Sequence, residues 1–274
     1  MTMTCSPSPL RLVFTLLLAG CMGMLHAQED EPLEVINAQM IGLGRINTLD
    51  TYLSPEKHSG PELRYISQTT RLRPGRRFST QLTHYGSFAT TEDRSGDGSQ
   101  MSGLYTFSLA RHRDWWLRGD KWLLQAGWMG DLNMGFIYDG RNTNNPAQAR
   151  FSLQLGPSLA ALYKTHVGKM LLMTRYEVSA PLVGLMFSPN YGQSYYEIFS
   201  LGNYDHNIVA TTIFSAPSLR QMLTVDFRLW GITWRVGYLG DIQQAKPNHL
   251  KQHFYTHSLV LGFVRHFNIT DLQP

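Results

Sequence analysis

One segment of the chain alternates so regularly that it restricts the fold to strands. Between Trp122 and Tyr138, every second residue is apolar or glycine, and aromatic residues occupy both ends of the series. The residues in between include Gln125, Asp131 and Asn133. A period of two places alternate side chains on opposite faces of a β-strand. One oily face with aromatic ends and one polar face are typical of a strand between lipid and a wet lumen.

The same two-sided pattern recurs along the rest of the chain. Candidate strands are 35–50, 62–72, 77–90, 100–111, 121–138, 149–163, 169–179, 207–214, 221–230, 232–243 and 252–267. These are eleven segments, whereas single-chain bacterial barrels have even strand numbers, so either one segment contains two strands or one more strand is expected, at 181–200. We predict an all-β fold, a single antiparallel transmembrane β-barrel of about twelve strands, with ten as the second choice.

The first 27 residues have the composition of a leader. Arg11 precedes an apolar run over 12–19, and the chain turns acidic directly after residue 27. This order predicts a secretory signal peptide over 1–27 and a barrel domain over 28–274. An alternative start is Cys21, because the residues before it resemble the lipobox of bacterial lipoproteins.

Composition excludes several classes of site. Both cysteines, Cys5 and Cys21, lie in the predicted leader, so the processed chain has no disulfide and no cysteine-based site. Later apolar runs are shorter than the roughly 18 residues of a spanning helix, so the chain can span a membrane only as a closed barrel. Metal and phosphate-binding motifs are missing, and 93–98 lacks the carboxylate spacing of a calcium loop. We therefore predict no metal and no cofactor.

The charged residues are distributed unevenly between short and long links. Basic residues near the short links are Arg71, Arg73, Arg76, Arg77, Arg111, Arg113, Arg118, Lys121, Lys164 and Lys169. Acidic residues are assigned to the longer links 52–61, 91–99, 139–148 and 180–206, and include Asp50, Glu62 and Asp139. Short turns of such barrels are periplasmic, so a basic rim facing anionic outer-membrane lipids is expected. No nucleic-acid partner is predicted.

The longest link is a candidate lid. Ser194 and Glu197 have the spacing of a capping box, which predicts one short helix in this loop. Aromatic residues surround it, and the candidates for a lid or constriction at the barrel mouth are Tyr191, Tyr195, Tyr196 and Phe199. In the alternative interpretation, these aromatics only pack the loop against the rim.

Polar residues of the candidate strands predict a lumen network. Its members are Arg45, Gln125, Asp131, Arg150, Arg175, Glu177, Asp226, Arg228 and Arg235. Arginines outnumber carboxylates in this set, so an open lumen would favour anions. The alternative is a narrow barrel plugged by salt-bridged side chains.

Three functional hypotheses follow, and none assigns a catalytic residue. The first is an outer-membrane barrel with a structural, surface-interaction or narrow-pore role. The second is an outer-membrane lipid hydrolase using His84 or His257, although His84 falls on the predicted lipid face and His257 points away from Ser258. The third is a soluble periplasmic barrel that binds an apolar ligand inside.

Three segments carry a resemblance to a known family. Residues 49–55 leading to 62–65, residues 188–197 and residues 235–241 resemble an uncharacterised family of exported Bacteroidota proteins, a domain of unknown function. The resemblance implies export and a β-rich envelope protein, and it supplies no catalytic residues. The segment 252–267 also resembles the last strand of outer-membrane proteins, so the barrel assembly machinery is an expected partner and the outer membrane the expected location.

Overall fold

A computed structural model describes residues 33–72, 76–119, 121–142 and 145–269. The predicted signal peptide and the link at residues 74 and 75 lie outside the described residues. The strands are β1 (Leu33–Asp50), β2 (Ser54–Leu72), β3 (Phe78–Glu92), β4 (Ser99–Leu117), β5 (Trp122–Asp139), β6 (Ala147–Val167), β7 (Met170–Ser179), β8 (Val183–Phe187), β9 (Ile208–Thr212), β10 (Leu219–Leu229), β11 (Ile232–Ala245) and β12 (Gln252–Ile269). A short helix α1 (Tyr195–Phe199) and a 3₁₀ turn (Pro247–His249) complete these elements.

Ten of the strands in the described residues close an antiparallel ring. Its order is β1-β2-β3-β4-β5-β6-β7-β10-β11-β12, and β12 pairs back with β1. Strands β8 and β9 lie outside the ring: they pair with each other, and β8 continues along β6 beyond the end of β7. The predicted all-β barrel is confirmed, with ten strands in the ring and twelve in the whole sheet. Strand β8 is the strand expected at 181–200.

The stagger between neighbouring strands sets the tilt of the strands in the ring. Following paired residues once around the ring from Phe151 returns to Tyr163, twelve positions further along β6. A ten-stranded ring with this stagger requires strands tilted by about 40°. We call the end where β1 begins and β12 ends the terminal end, and the end that carries α1 the loop end.

The two faces of β5 follow the alternation of its sequence. Gln125 and Asp131 are buried inside the barrel, whereas Trp128 and Phe136 are exposed outside. Large apolar side chains are exposed on many other strands, among them Ile41, Leu43, Leu63, Tyr65, Phe88, Leu155, Leu159, Leu223, Leu259 and Leu261. The barrel is therefore apolar on its outer surface and largely polar inside.

The predicted long link 52–61 is wrong, because β2 already begins at Ser54. The outward residues at the start of β2 are Pro55, Lys57, Ser59 and Pro61, so the alternation of large apolar and polar residues is lost although the strand continues. The assignment of acidic residues to the long links is also affected. Asp50, Glu62 and Asp139 are buried on the inner face of the barrel, not displayed on outer loops.

Candidate functional site

The lumen near the terminal end contains a hydrogen-bonded ion pair. Asp226 on β10 and Arg235 on β11 are register partners, and Arg235 donates two hydrogen bonds to the carboxylate, of 2.6 and 2.7 Å. Its remaining Nη1 donates to the side-chain oxygen of Gln68 at 2.8 Å. This bidentate geometry is the strong form of an arginine–carboxylate pair.

A second pair joins the first through glutamine side chains. Arg175 and Glu177, both on β7, form an ion pair, and Arg175 also donates to Gln81 at 3.0 Å. Gln68 donates its amide to Glu177 at 2.9 Å. Gln68 thus accepts from one ion pair and donates to the other, so the two pairs form one network across the lumen.

Nearer the loop end, Arg64 bridges two carboxylates. Its guanidinium lies 2.9 Å from Glu62 on the same strand and 2.9 Å from Asp241 across the lumen. Arg220 lies 2.8 Å from Asp131 and 3.7 Å from Asp241, which joins it to this group. Asp241, which Arg64 and Arg220 share, therefore links side chains from four strands.

Aromatic rings complete the packing between these groups. The guanidinium of Arg150 lies 3.4 Å from the centre of the Phe254 ring and donates to Gln243 at 2.9 Å. Arg220 lies 4.6 Å from the centre of the Tyr85 ring. Such contacts stabilise arginine where solvent is excluded.

The lumen network contains equal numbers of arginines and carboxylates, and Asp50, Asp114 and Asp139 are further carboxylates buried inside the barrel. Its arginines are Arg64, Arg150, Arg175, Arg220 and Arg235, and its carboxylates are Glu62, Asp131, Glu177, Asp226 and Asp241. Three cavities that border the network measure about 10, 30 and 30 Å³, enough for one or a few water molecules each, and a fourth at the terminal end measures about 100 Å³. The excess of arginine expected from the sequence is not found here.

Seven of the nine predicted lumen residues face the lumen. Gln125 donates to Asp114 at 2.8 Å near the terminal end, and Asp131, Arg150, Arg175, Glu177, Asp226 and Arg235 belong to the network. The prediction that Arg45 faces the lumen is wrong, because Arg45 shares the outer face of β1 with Ile41 and Leu43. Arg228 is also wrong: it has the inward register of Asp226 but is exposed at the strand end.

Sequence reasoning missed Arg64, Arg220 and Asp241 and misplaced Glu62. The signal was present in β2, where Glu62, Arg64 and Gln68 recur at a period of two with Ile66. Because 52–61 was interpreted as a loop, Glu62, the first member of this series, was assigned to the link and not to the lumen. Arg220 had no such signal, because it directly precedes the candidate strand 221–230.

The predicted helix is confirmed at the loop end. Ser194 accepts a hydrogen bond from the Glu197 backbone N–H at 3.2 Å, and the Ser194 backbone N–H donates to the Glu197 carboxylate at 2.6 Å. This capping box fixes the first turn of α1. The hydrogen bond from the Ser194 backbone lowers the pKa of the Glu197 carboxyl below its usual value.

One of the four aromatic lid candidates anchors the helix to the barrel. The Tyr195 hydroxyl donates to Gln148 at 2.8 Å and accepts from the backbone N–H of Ala149 at 2.6 Å, and its ring meets Tyr52 edge-on. Burial raises the pKa of Tyr195, and burial also raises the pKa of Tyr52 to about 12. The other three candidates, Tyr191, Tyr196 and Phe199, are exposed, and the Phe199 ring stacks on that of Tyr195.

The histidines considered for hydrolysis contact tyrosines on the outer face. The Nδ1 atom of His84 lies 2.7 Å from the Tyr105 hydroxyl, and that of His257 lies 2.5 Å from the Tyr238 hydroxyl. Neither contact involves a serine. These positions therefore provide no serine–histidine arrangement.

A serine–histidine contact missed by the sequence analysis lies inside the barrel. His112 Nε2 is 2.9 Å from Ser158 Oγ, and Gly127 separates the two in the sheet. His112 Nδ1 has no hydrogen-bond partner among the described residues, and the nearby carboxylate of Asp114 accepts from Ser79 and Gln125 instead. Because no carboxylate orients this imidazole, the pair lacks the third member of a triad.

Within the described ranges, no three histidine, cysteine or acidic side chains come together as metal ligands. The helices described are all too short or too polar to cross a bilayer. The cavity of about 100 Å³ at the terminal end has mixed walls, which include the apolar Leu123, Leu162 and Met173 and the network residues Arg175, Asp226 and Arg235.

Comparison with known proteins gives a family and several distant folds. Residues 10–274 match a family described as "Protein of unknown function (DUF3316)". No curated protein matches the chain. The transport unit of the autotransporter AIDA-I from Escherichia coli is 7% identical, with 95% of this chain and 99% of that chain covered and a TM-score of 0.41.

Two further solved structures are similarly distant. The translocator domain of the autotransporter NalP from Neisseria meningitidis is 11% identical, covers 93% of this chain and 95% of its own, and gives a TM-score of 0.37. The outer membrane protease OmpT from Escherichia coli is 6% identical, with 88% of this chain and 99% of that chain covered and a TM-score of 0.40. Similarities at these identities and TM-scores do not indicate the activity of this chain.

Proposed function

We propose that this chain, which belongs to the DUF3316 family of proteins of unknown function, is an outer-membrane barrel with a closed lumen. Its role is structural or surface-interacting rather than conducting. The observation that carries this proposal is the charge-balanced network, which fills the lumen with paired side chains from strands on opposite sides of the ring.

The distribution of polar and apolar side chains supports a membrane location. Leu43, Trp128 and Leu259 are each more than half exposed on the outer face, whereas arginines and carboxylates are buried inside. A soluble barrel for an apolar ligand has the opposite arrangement, with its oily face inward. The structure therefore favours lipid contact over the soluble alternative.

Cation–aromatic contacts at the terminal end support a lipid-facing rim. Arg111 lies 5.6 Å from the Phe78 ring centre, and Arg113 lies 5.5 Å from that of Trp115. Aromatic girdles mark the interfaces of outer-membrane barrels, and basic side chains there attract anionic headgroups. Outer-membrane lipids are thus the expected partners of this rim.

The loop end supports the surface-interaction role. Tyr191, Tyr196 and Phe214 are exposed there, and Tyr195 fixes the α1 loop to the barrel. Exposed aromatics on a fixed loop supply contact area at low entropic cost. The bacterial source and a role in the cell envelope are part of this proposal.

Planar-bilayer recording tests the closed lumen. We expect no conductance steps from the parent protein. The double variant Glu62→Ser with Arg64→Ser removes one buried ion pair and much side-chain volume, and we expect it to conduct. Leu63→Ala, between them in β2 but on the outer face, serves as control and stays silent. Steady conductance steps from the parent would overturn the closed-lumen function.

A further inference from the structure

A cluster of polar side chains lies on the outer face of β12, β1 and β2 near the terminal end. We call it the rim patch, and its members are Asn37, Gln39, Ser67, Thr69, Arg71 and Arg265. Arg265 is the register partner of Asn37, Asn37 pairs in turn with Thr69, and Arg71 follows Thr69 on the same face of β2. Two exposed guanidiniums therefore flank four neutral polar side chains.

The neutral side chains of the rim patch hold one another in place. Asn37 donates to Thr69 at 2.8 Å, and Gln39 donates to Asn37 at 2.7 Å and to Ser67 at 2.9 Å. Tyr65 donates its hydroxyl to Gln39. Within the described residues, the Ser67 and Thr69 hydroxyls only accept, and Asn37 uses one of its two amide hydrogens. Three hydrogen-bond donors are thus left for a ligand.

The charge of the rim patch is positive and uncompensated. Among the described residues, neither Arg71 nor Arg265 forms an ion pair with a carboxylate, and the outward positions of these three strands carry no acidic side chain. The Arg265 guanidinium lies 5.1 Å from the centre of the Phe263 ring, and Phe263 is the register partner of Gln39. A guanidinium binds phosphate through paired hydrogen bonds, so the rim patch is suited to an anion.

The height of the rim patch matches a membrane interface. Val35, the register partner of Arg71, and Arg45 both lie on the outer face of β1, ten positions apart. Ten positions span about 33 Å along a strand, which is about 25 Å of height at a tilt of about 40°. The apolar band of an outer-membrane barrel is about 25 Å tall. Arg71 and Arg45 therefore lie at opposite edges of the band, with Ile41 and Leu43 between them.

Neighbouring strands are apolar at the same register. From Thr69 the pairing continues through Leu82 to Leu109. In the other direction, Gln39 pairs with Phe263, and Phe263 pairs with Trp234. Acyl chains offer no hydrogen-bond acceptor, and an unpaired donor in hydrocarbon is costly. The free donors of the rim patch therefore require a polar group that the lipid tails do not supply.

A ligand that contacts this whole face is anionic at one end and apolar at the other. Towards the loop end the face continues with the register partners Leu43 and Leu259, whose exposed fractions are 67% and 72%. A phosphate bound between Arg71 and Arg265 places the ester oxygens of its lipid near Ser67 and its acyl chains along these leucines. Both chain ends of the ring lie at the terminal end, which is the periplasmic side of an outer-membrane barrel.

We propose that the rim patch binds the headgroup of an anionic phospholipid from the periplasmic leaflet. The two guanidiniums contact the phosphate, and the free amide and hydroxyl hydrogens of the patch donate to phosphate and ester oxygens. This inference rests on the proposed membrane function and names one lipid class and one position on the rim.

Native mass spectrometry of the full chain in detergent measures the binding of added phosphatidylglycerol. Arg71→Gln with Arg265→Gln should raise the dissociation constant about thirtyfold, as for two basic side chains beside an anionic headgroup. Arg94→Gln with Arg228→Gln is the matched control, because it removes the same charge from exposed positions outside the rim patch. An equal rise in both double variants would show attraction to net charge alone and overturn the site.

The hydroxyls of the rim patch supply a test at constant charge. Ser67→Ala with Thr69→Val should raise the dissociation constant about tenfold, because two hydrogen bonds to lipid oxygens are lost. Thr90→Val is the control, since this exposed hydroxyl lies on the outer face of β3 near the loop end. An unchanged constant in the Ser67 and Thr69 variant, with folding verified by heat-modifiable mobility, would refute the site.

Competition and flotation identify the ligand and separate the two hypotheses. We expect phosphatidylcholine and millimolar glycerol 3-phosphate to displace little phosphatidylglycerol from the parent. Equal binding of phosphatidylcholine, or displacement by free glycerol 3-phosphate, would refute an anionic lipid as the ligand. In flotation with phosphatidylglycerol vesicles, a parent protein that floats but shows no selective lipid binding refutes the rim patch alone. A parent protein that does not float refutes the membrane function.

Discussion

Asp226 and Arg235 face each other from neighbouring strands and join through two hydrogen bonds of 2.6 and 2.7 Å. Both side chains are buried, so solvent does not compensate either charge. Burial of an ion pair is costly, but loss of one partner leaves the other charge alone in the lumen. The pair is therefore most sensitive to changes that unbalance it.

Asp226→Asn should destabilise the barrel by about 3 to 5 kcal/mol, the usual cost of breaking a buried pair from one side. Unfolding by urea in lipid vesicles measures this change. The double variant Asp226→Leu with Arg235→Met removes both charges and keeps apolar volume, so its stability should return close to that of the parent. A double variant less stable than Asp226→Asn would contradict this account.

Gly127 should be intolerant of a side chain. An added Cβ would lie 1.8 Å from the backbone oxygen of Arg111, and Gly127 also separates His112 from Ser158. Gly127→Ala should cost about 1 to 3 kcal/mol or prevent folding, as overpacking does. The yield of heat-modifiable folded protein and its unfolding midpoint report the effect. Gly130→Ala in the same strand is the control, because the nearest atom to its added Cβ is 3.9 Å away.

The sequence predicts the barrel well where the oily face is continuous, as in β5. It fails in β1, where Asn37 and Gln39 face outward while Ala38 and Met40 face the lumen. The reason is local packing: the inward residues join an apolar cluster with Ile66, Leu239 and Val260, and the outward Gln39 and Asn37 hydrogen-bond to each other. A rule that places polar residues inside therefore exchanges the inner and outer faces of β1. The same rule assigned Arg45 to the lumen, whereas it lies on the outer face.

The lumen network was partly predictable for a different reason. Alternation identifies which residues point inward, but it does not say which strands face each other across the ring. Arg64 and Asp241 are 177 positions apart in sequence, and only closure of the barrel brings them to 2.9 Å. The predicted residues were therefore largely correct as a set, while their pairing required the structure.

Tyr195 should control the order of the α1 loop. Tyr195→Phe removes the partner of the Ala149 backbone N–H and of Gln148, and a lost bond to a buried group costs about 1 to 3 kcal/mol. We expect faster protease cleavage of the loop with little change in global unfolding. Tyr196→Phe, one position along and exposed, should leave the cleavage rate unchanged. Equal rates in both variants would show that Tyr195 does not anchor the loop.

The α1 loop should also loosen in acid through Glu197. The Ser194 backbone and hydroxyl donate to this carboxylate, which lowers its pKa in the folded protein. A lowered folded pKa means that the stabilisation is fully present above the ordinary carboxyl value and is lost as the pH falls through the folded pKa. Amide hydrogen exchange of residues 194–199, corrected for intrinsic rates, should accelerate on acidification in the parent. Glu197→Gln keeps the cap without a titrating group, so its exchange should show no such pH dependence; the same acid response in both proteins would exclude Glu197 as the cause.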